Sequence, residues 1–387
     1  MPDGIAANDL EVLQLSVSEQ ARMWRKSGWL RRYWSGCKPV VLIMCLLATA
    51  PAVYADAGDE FMLFPQVGIT HRMGLSPGSA LDSNTVDTAL SLFYTADYGQ
   101  LRLLAEAAAN EESLEVERLQ FGWLIRPETT LWLGRFHSPL GYWQNQYHHG
   151  DYLQTSISRP GIAAFDHKGG PLPTHLIGLL LEGQQALGEA GLRYSVAIGS
   201  GTELNAEGLA PDPLFRPFKS QHGFAGAVRV SYHPNAYGPN EVGLFAGRNR
   251  IPAADLGFDA VEQRVSGAFF NWQSGGTRFI GAVFRVRNTL NHKAASVTAL
   301  FSNGYLQVER QWAGEWALYG RLEGSSGAHD DPYLNYFSRF VEKKSLMGLR
   351  YDFSLHQALK LELANIHPGA SGDRYQMLSL QWSMVYQ

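Results

Sequence analysis

From Leu378 to Tyr386 every second residue is large and apolar: Leu378, Leu380, Trp382, Met384 and Tyr386 alternate with Ser379, Gln381 and Ser383. A period of two puts the first set on one face of an extended strand and the second set on the other. The pattern recurs upstream. Leu359, Leu361 and Leu363 oppose Lys360 and Glu362, and Met347, Leu349, Tyr351 and Phe353 oppose Gly348, Arg350 and Asp352. Trp316, Leu318 and Leu322 oppose Tyr319, Arg321 and Glu323; Leu192, Tyr194, Val196 and Ile198 oppose Arg193, Ser195 and Ala197. Near the start, Leu119, Phe121, Trp123 and Ile125 oppose Arg118, Gln120 and Gly122. A soluble sandwich also alternates. It has no reason to set Trp and Tyr so regularly at strand ends, where interfacial girdles lie.

Segmenting the chain on this pattern predicts sixteen strands: 60–70, 86–96, 100–109, 114–125, 129–135, 174–184, 190–199, 222–233, 241–250, 262–272, 277–287, 295–312, 315–324, 344–353, 358–365 and 374–386. Every second connection is short and turn-forming, as at Asp97-Tyr98-Gly99, Arg126-Pro127-Glu128, Ala313-Gly314-Glu315 and Leu355. The long ones, 71–85, 136–173, 200–221, 251–261 and 325–343, all fall in the other set. That parity is what a membrane barrel with short periplasmic turns and long outer loops produces. Asn303-Gly304 inside the twelfth strand is a strong hairpin signal. It is read here as a kink or bulge, with fourteen or eighteen strands as the alternatives.

Composition agrees. The 387 residues are 12 % aromatic and only 18 % charged, with 40 glycines, which suits a wall greased outside and wet inside. A net charge of −4 with no basic run in the body gives no footing for nucleic acid. Arg22, Arg25, Lys26, Arg31, Arg32 and Lys38 precede an apolar core from Pro39 to Ala50, and Val53-Tyr54-Ala55 supplies small residues before a cut after Ala55. This divides the chain into a secretory leader with N-terminal extension (1–55), starting at Met1 or Met23, and a barrel (56–387). Both cysteines, Cys37 and Cys45, lie in the leader, so the mature chain has no thiol for a disulfide, a nucleophile or a metal. No later apolar run approaches the length of a membrane-spanning helix. The fold expected is therefore all-β: a transmembrane antiparallel barrel in the bacterial outer membrane, its long third outer loop folded toward the lumen.

That loop should carry function. It reads Phe136-His137-Ser138-Pro139-Leu140-Gly141-Tyr142-Trp143, then Tyr147-His148-His149-Gly150-Asp151-Tyr152, then Arg159-Pro160-Gly161. Its aromatic, Pro and Gly content argues for packing over disorder. Gly134, Arg135, Phe136, Pro139 and Gly141 match a Gly-basic-Phe-x-x-Pro-x-Gly pattern, and here the chain resembles the sixteen-stranded porins, including the phosphate-selective ones. The lysine ladder of a phosphate-selective pore is missing. The resemblance implies a lumen-folded constriction loop made of Phe136, His137, Pro139, Gly141, Tyr142, Trp143, His148, His149 and Asp151. It also admits a homotrimer. The last strand resembles the C-terminal signal read by the barrel-assembly machinery, except that Tyr386 is penultimate and Gln387 last.

Alternation assigns Arg102, Arg118, Arg193, Arg229, Arg285, Arg287, Arg321, Arg350 and Lys360 to the lumen, against Glu106, Glu182, Glu309, Glu323 and Glu362. The surplus of cations predicts passage of small hydrophilic solutes with a weak preference for anions, through a wall whose outer face meets outer-membrane lipid. His137, His148, His149, His167 and His175, with Asp151 and Asp166, could bind zinc or copper. Adjacent His148 and His149 cannot easily face one ion, so hydrogen-bonding roles are expected, with no metal and no cofactor. A lipid hydrolase would need a Ser held by His. No Gly-x-Ser-x-Gly occurs, and only the neighbourhood of His148 with Ser156 or Ser158 offers the types, so no enzyme is expected. A plugged barrel serving as receptor, adhesin or assembly protein stays open as the second reading.

Overall fold

The computed structural model describes residues 59–77, 79, 81–111, 113–147, 150–166, 169–214, 223–292, 295–369 and 374–387. The leader, both cysteines, His148, His149 and His167 lie outside the described residues. In chain order the strands are β1 (Asp59–Met73), β2 (Asn84–Tyr98), β3 (Leu101–Asn110), β4 (Leu114–Arg126), β5 (Thr129–His137), β6 (His175–Leu187), β7 (Ala190–Ser200), β8 (Glu203–Asn205) and β9 (Gly208–Ala210). They continue with β10 (Phe224–His233), β11 (Glu241–Pro252), β12 (Ala260–Ser274), β13 (Thr277–Asn291), β14 (Ser296–Trp312), β15 (Trp316–Ser326), β16 (Val341–Ser354), β17 (Gln357–Pro368) and β18 (Tyr375–Met384).

Sixteen of them pair antiparallel, each with its sequence neighbour, and β18 closes the cylinder on β1 in a register running from Gln66↔Ser383 to Met73↔Gln376. Closure satisfies backbone groups that an open edge would leave bare. The two strands outside the wall, β8 and β9, make a small hairpin in the connection from β7 to β10, which the sequence reading treats as plain loop. At Asn303-Gly304 the ladder runs on without a register shift on either side, so the dipeptide forms neither a hairpin nor a bulge. Asn303 instead points inward and donates to Ser325 Oγ at 2.7 Å.

Leu244, Leu306, Leu318, Leu361 and Leu380 stand exposed on the outside of the wall. Trp123, Tyr232, Trp272, Phe279 and Trp312 ring the end that carries the short turns. The largest buried apolar cluster lies inside the cylinder, where Phe245, Phe269, Phe284, Phe301 and Tyr305 of β11 to β14 meet side chains of the 138–174 connection.

Candidate pore constriction

The connection from β5 to β6 enters the lumen at once. Ser138 and Pro139 follow His137 at the end of β5, and Gly141, at φ +77°, turns the chain toward the wall; a Cβ there would sit 2.9 Å from Phe284 Cζ. The short helix Trp143–Gln146 then seats Trp143, wholly buried, 4.8 Å from the Tyr147 ring and 6.0 Å from Tyr305, measured between centroids. Phe136 and Leu140 fill the same cluster, and Arg278 Nη2 donates to the Tyr142 hydroxyl at 2.7 Å. This half of the loop is held by apolar packing.

Past the helix the chain crosses to the opposite wall. Gly150 slides over Phe64 of β1 at φ +92°, where an added Cβ would lie 2.3 Å from Phe64 Cβ, so only glycine fits. From Asp151 to Gly161 the loop is held by charged wall groups. Lys360 Nζ donates to the Asp151 carbonyl, and Gln381 Nε2 donates to Asp151 Oδ2 at 3.0 Å. Arg350 Nη1 donates to the carbonyls of Tyr152 and Gln154 at 2.7 and 3.0 Å. Thr155 donates to Glu309 at 2.9 Å, and Glu362 accepts the Ile157 amide at 3.0 Å. Arg321 pairs with Glu323 at 2.7 Å and donates to the Ser158 carbonyl at 2.9 Å; Glu323 also accepts the Gly161 amide at 2.7 Å. Lys344 Nζ reaches Ser158 Oγ at 2.8 Å. Farther along, the Arg159 guanidinium lies over the Phe165 ring at 3.9 Å, and burial pushes its pKa down to about 10 against the pull of Asp151 and Glu117.

Of the cations assigned to the lumen, Arg102, Arg118, Arg193, Arg229, Arg321, Arg350 and Lys360 do lie on the inner side, and Arg118 pairs with Glu106 at 2.6 Å. Arg102, Arg193 and Arg229, with Glu128 and Glu182, line a cavity of about 460 Å³ at the short-turn end. Arg285 and Arg287 correct the reading. Phe284 and Val286 of β13 are buried inside against the loop, so their neighbours Arg285 and Arg287 stand exposed on the outer face. The rule of apolar out and polar in reverses there because the loop, not water, covers that stretch of inner wall. Arg278, Lys344, Glu117 and Glu241 join the inner set, and Glu241 binds Arg229 at 2.8 Å. The inner wall is therefore closer to balance than nine cations against five anions.

The base of the loop is tied at His175. Its Nε2 lies 2.6 Å from Glu117 and 3.2 Å from His137 Nε2, and its Nδ1 lies 2.8 Å from Asp166. A register shift in the β3–β4 ladder falls at Glu117, which leaves it buried beside His175; nothing in the sequence marks that shift. Glu117, His137 and His175 offer three donors within 4.8 Å of one another, a set of the kind that binds a divalent cation.

No protein-family model and no curated sequence matches the chain. Its fold is similar to solved barrels. An anion-selective porin from Comamonas acidovorans superposes at TM-score 0.57 and 10 % identity, over 85 % of this chain and 99 % of that one. The outer-membrane channel DcaP of Acinetobacter baumannii gives 0.55 at 11 % identity, over 87 % and 100 %. OmpT, an outer-membrane protein of Vibrio cholerae, gives 0.55 at 9 %, over 87 % and 100 %. The chain has the closed sixteen-stranded fold of the bacterial outer-membrane porins.

Proposed function

We propose that the chain is an outer-membrane pore for passive diffusion of small hydrophilic solutes, exported with residues 1–55 removed and assembled by the barrel-assembly machinery. The observation that carries this reading is the contrast between the two faces of one wall. Exposed leucines ring the outside, while the inside holds charged side chains around a cavity with Arg102, Arg193 and Arg229. Charges fixed in a narrow passage order water and turn away apolar solutes. Three guanidiniums against two carboxylates, Glu128 and Glu182, in the lining of that cavity leave a small cationic surplus that favours anions weakly, and the similar Comamonas protein is anion-selective by name. No chemistry of bond breaking is assigned to this wall. Trimers are compatible with the fold, since one V. cholerae OmpT structure similar to this chain is a trimer form.

Planar-bilayer recording on refolded protein tests the proposal. Steady channels should appear, with a reversal potential in a salt gradient that leans toward anions. Replacing Arg102 and Arg193 together by Glu should shift it toward cations. A second reading, a plugged barrel acting as receptor, adhesin or assembly protein, draws on the loop's attachment to both sides of the lumen. Silent bilayers would favour it.

A further inference from the structure

Three neighbouring strands break the apolar belt on the outside. On β11, Asn249 and Ile251 are buried inside, so Arg248 and Arg250 point outward, their side chains 65 % and 61 % exposed. On β12, Gln263 and Val265 are inside and Arg264 is outside; on β13, Arg285 and Arg287 are outside. The register aligns them. Arg248 faces Arg264 and Arg264 faces Arg287, one unbroken row across three strands, with Arg285 one step nearer the short turns. Glu262, opposite Arg250, accepts from Arg248 at 3.1 Å and lies 3.8 Å from Arg250. The side chains of Arg264, Arg285 and Arg287 have no ionic or hydrogen-bonding partner among the described residues. Like charges directly opposite on a sheet repel, and an arginine facing lipid costs about 2–4 kcal/mol at mid-bilayer but only about 0–1 kcal/mol near the headgroups. A wall in lipid tolerates such a row near a headgroup boundary, where anionic groups relieve the repulsion among its members.

The height of the row puts it at such a boundary. Arg264 lies eight residues along β12 from Trp272, which belongs to the aromatic ring at the short-turn end. At about 3.4 Å per residue and a tilt near 40°, eight residues rise roughly 20 Å. An apolar belt is about 25 Å tall, so the row meets the opposite boundary, where hydrocarbon gives way to headgroups on the long-loop side. The flanks remain apolar, with exposed Phe224 on β10 and exposed Leu300 opposite Arg287 on β14. Guanidinium forks match phosphate oxygens two at a time. A second copy related by a two-fold axis through the row would set arginine against arginine.

We propose that Arg248, Arg264, Arg285 and Arg287 form a site on the outer wall for the phosphate groups of a phosphorylated glycolipid in the outer leaflet. The proposal rests on the reading of the chain as an outer-membrane barrel. Native mass spectrometry of detergent-refolded protein titrated with purified lipid A, carrying two phosphates, tests it. Wild type should retain at least one equivalent, and Arg264→Gln, Arg285→Gln, Arg287→Gln in one chain should weaken binding at least tenfold, with single-channel conductance unchanged. Lipid A stripped of one phosphate should bind several-fold more weakly to wild type, which keeps the test alive if the triple variant fails to refold. Equal retention of lipid A by wild type and variant, or equal binding of a zwitterionic phosphatidylcholine, would overturn the site. So would a variant whose only change is the loss of an oligomer. Silent bilayers with lipid retention intact would strike the pore and leave the site standing.

Discussion

On β11 to β14 the inner wall presents Phe245, Phe269, Phe284 and Tyr305, whereas on β15 to β17 the same face presents Arg321, Lys344, Arg350 and Lys360. One loop meets both. Its first half, through Tyr147, is seated by apolar packing; its second, from Asp151 to Gly161, is seated by guanidinium, ammonium and carboxylate groups that bond to its backbone. Apolar packing has no fixed direction, while hydrogen bonds to named carbonyls and amides fix register. The comparison therefore assigns adhesion to the first half and position to the second.

Removing the aromatic anchor should have the largest effect. Trp143→Ala empties a fully buried site and should cost about 3–5 kcal/mol, read as the shift of the urea unfolding midpoint; it should also raise conductance as the loop leaves the wall. On the charged side, Glu323→Gln strips Arg321 and Lys344 of their shared partner, for about 3 kcal/mol. Limited proteolysis should then cut between residues 154 and 161 faster than in wild type. An unchanged cleavage rate would mean that the charged half does not hold the loop. Combining the two substitutions gives the finest measure: if the halves act independently, the costs add to within about 0.5 kcal/mol, and a larger coupling would merge them into one unit.

The strands were legible because an extended chain repeats every two residues and its turns need Gly, Pro, Asn or Asp, both local properties. All sixteen wall strands lie within a few residues of their predicted places. The position of the loop was legible for the same reason, as the longest connection. Its effect on the wall was not. Alternation on β13 shows two faces but does not name them, and Phe284 with Val286 took the inside because a loop from more than a hundred residues upstream covers them. Reading apolar as outward sent Arg285 and Arg287 to the wrong side. Glu117 was missed because a local shift in the ladder, invisible in one sequence, put it next to His175.

The pairing of β18 with β1 has a consequence for biogenesis. Without Tyr375–Met384 the remaining strands would form a ribbon with two raw margins, each lined with unpaired amides and carbonyls. Such a ribbon cannot enter a bilayer alone. In hydrocarbon those bare groups carry a cost that only the seam between β18 and β1 removes.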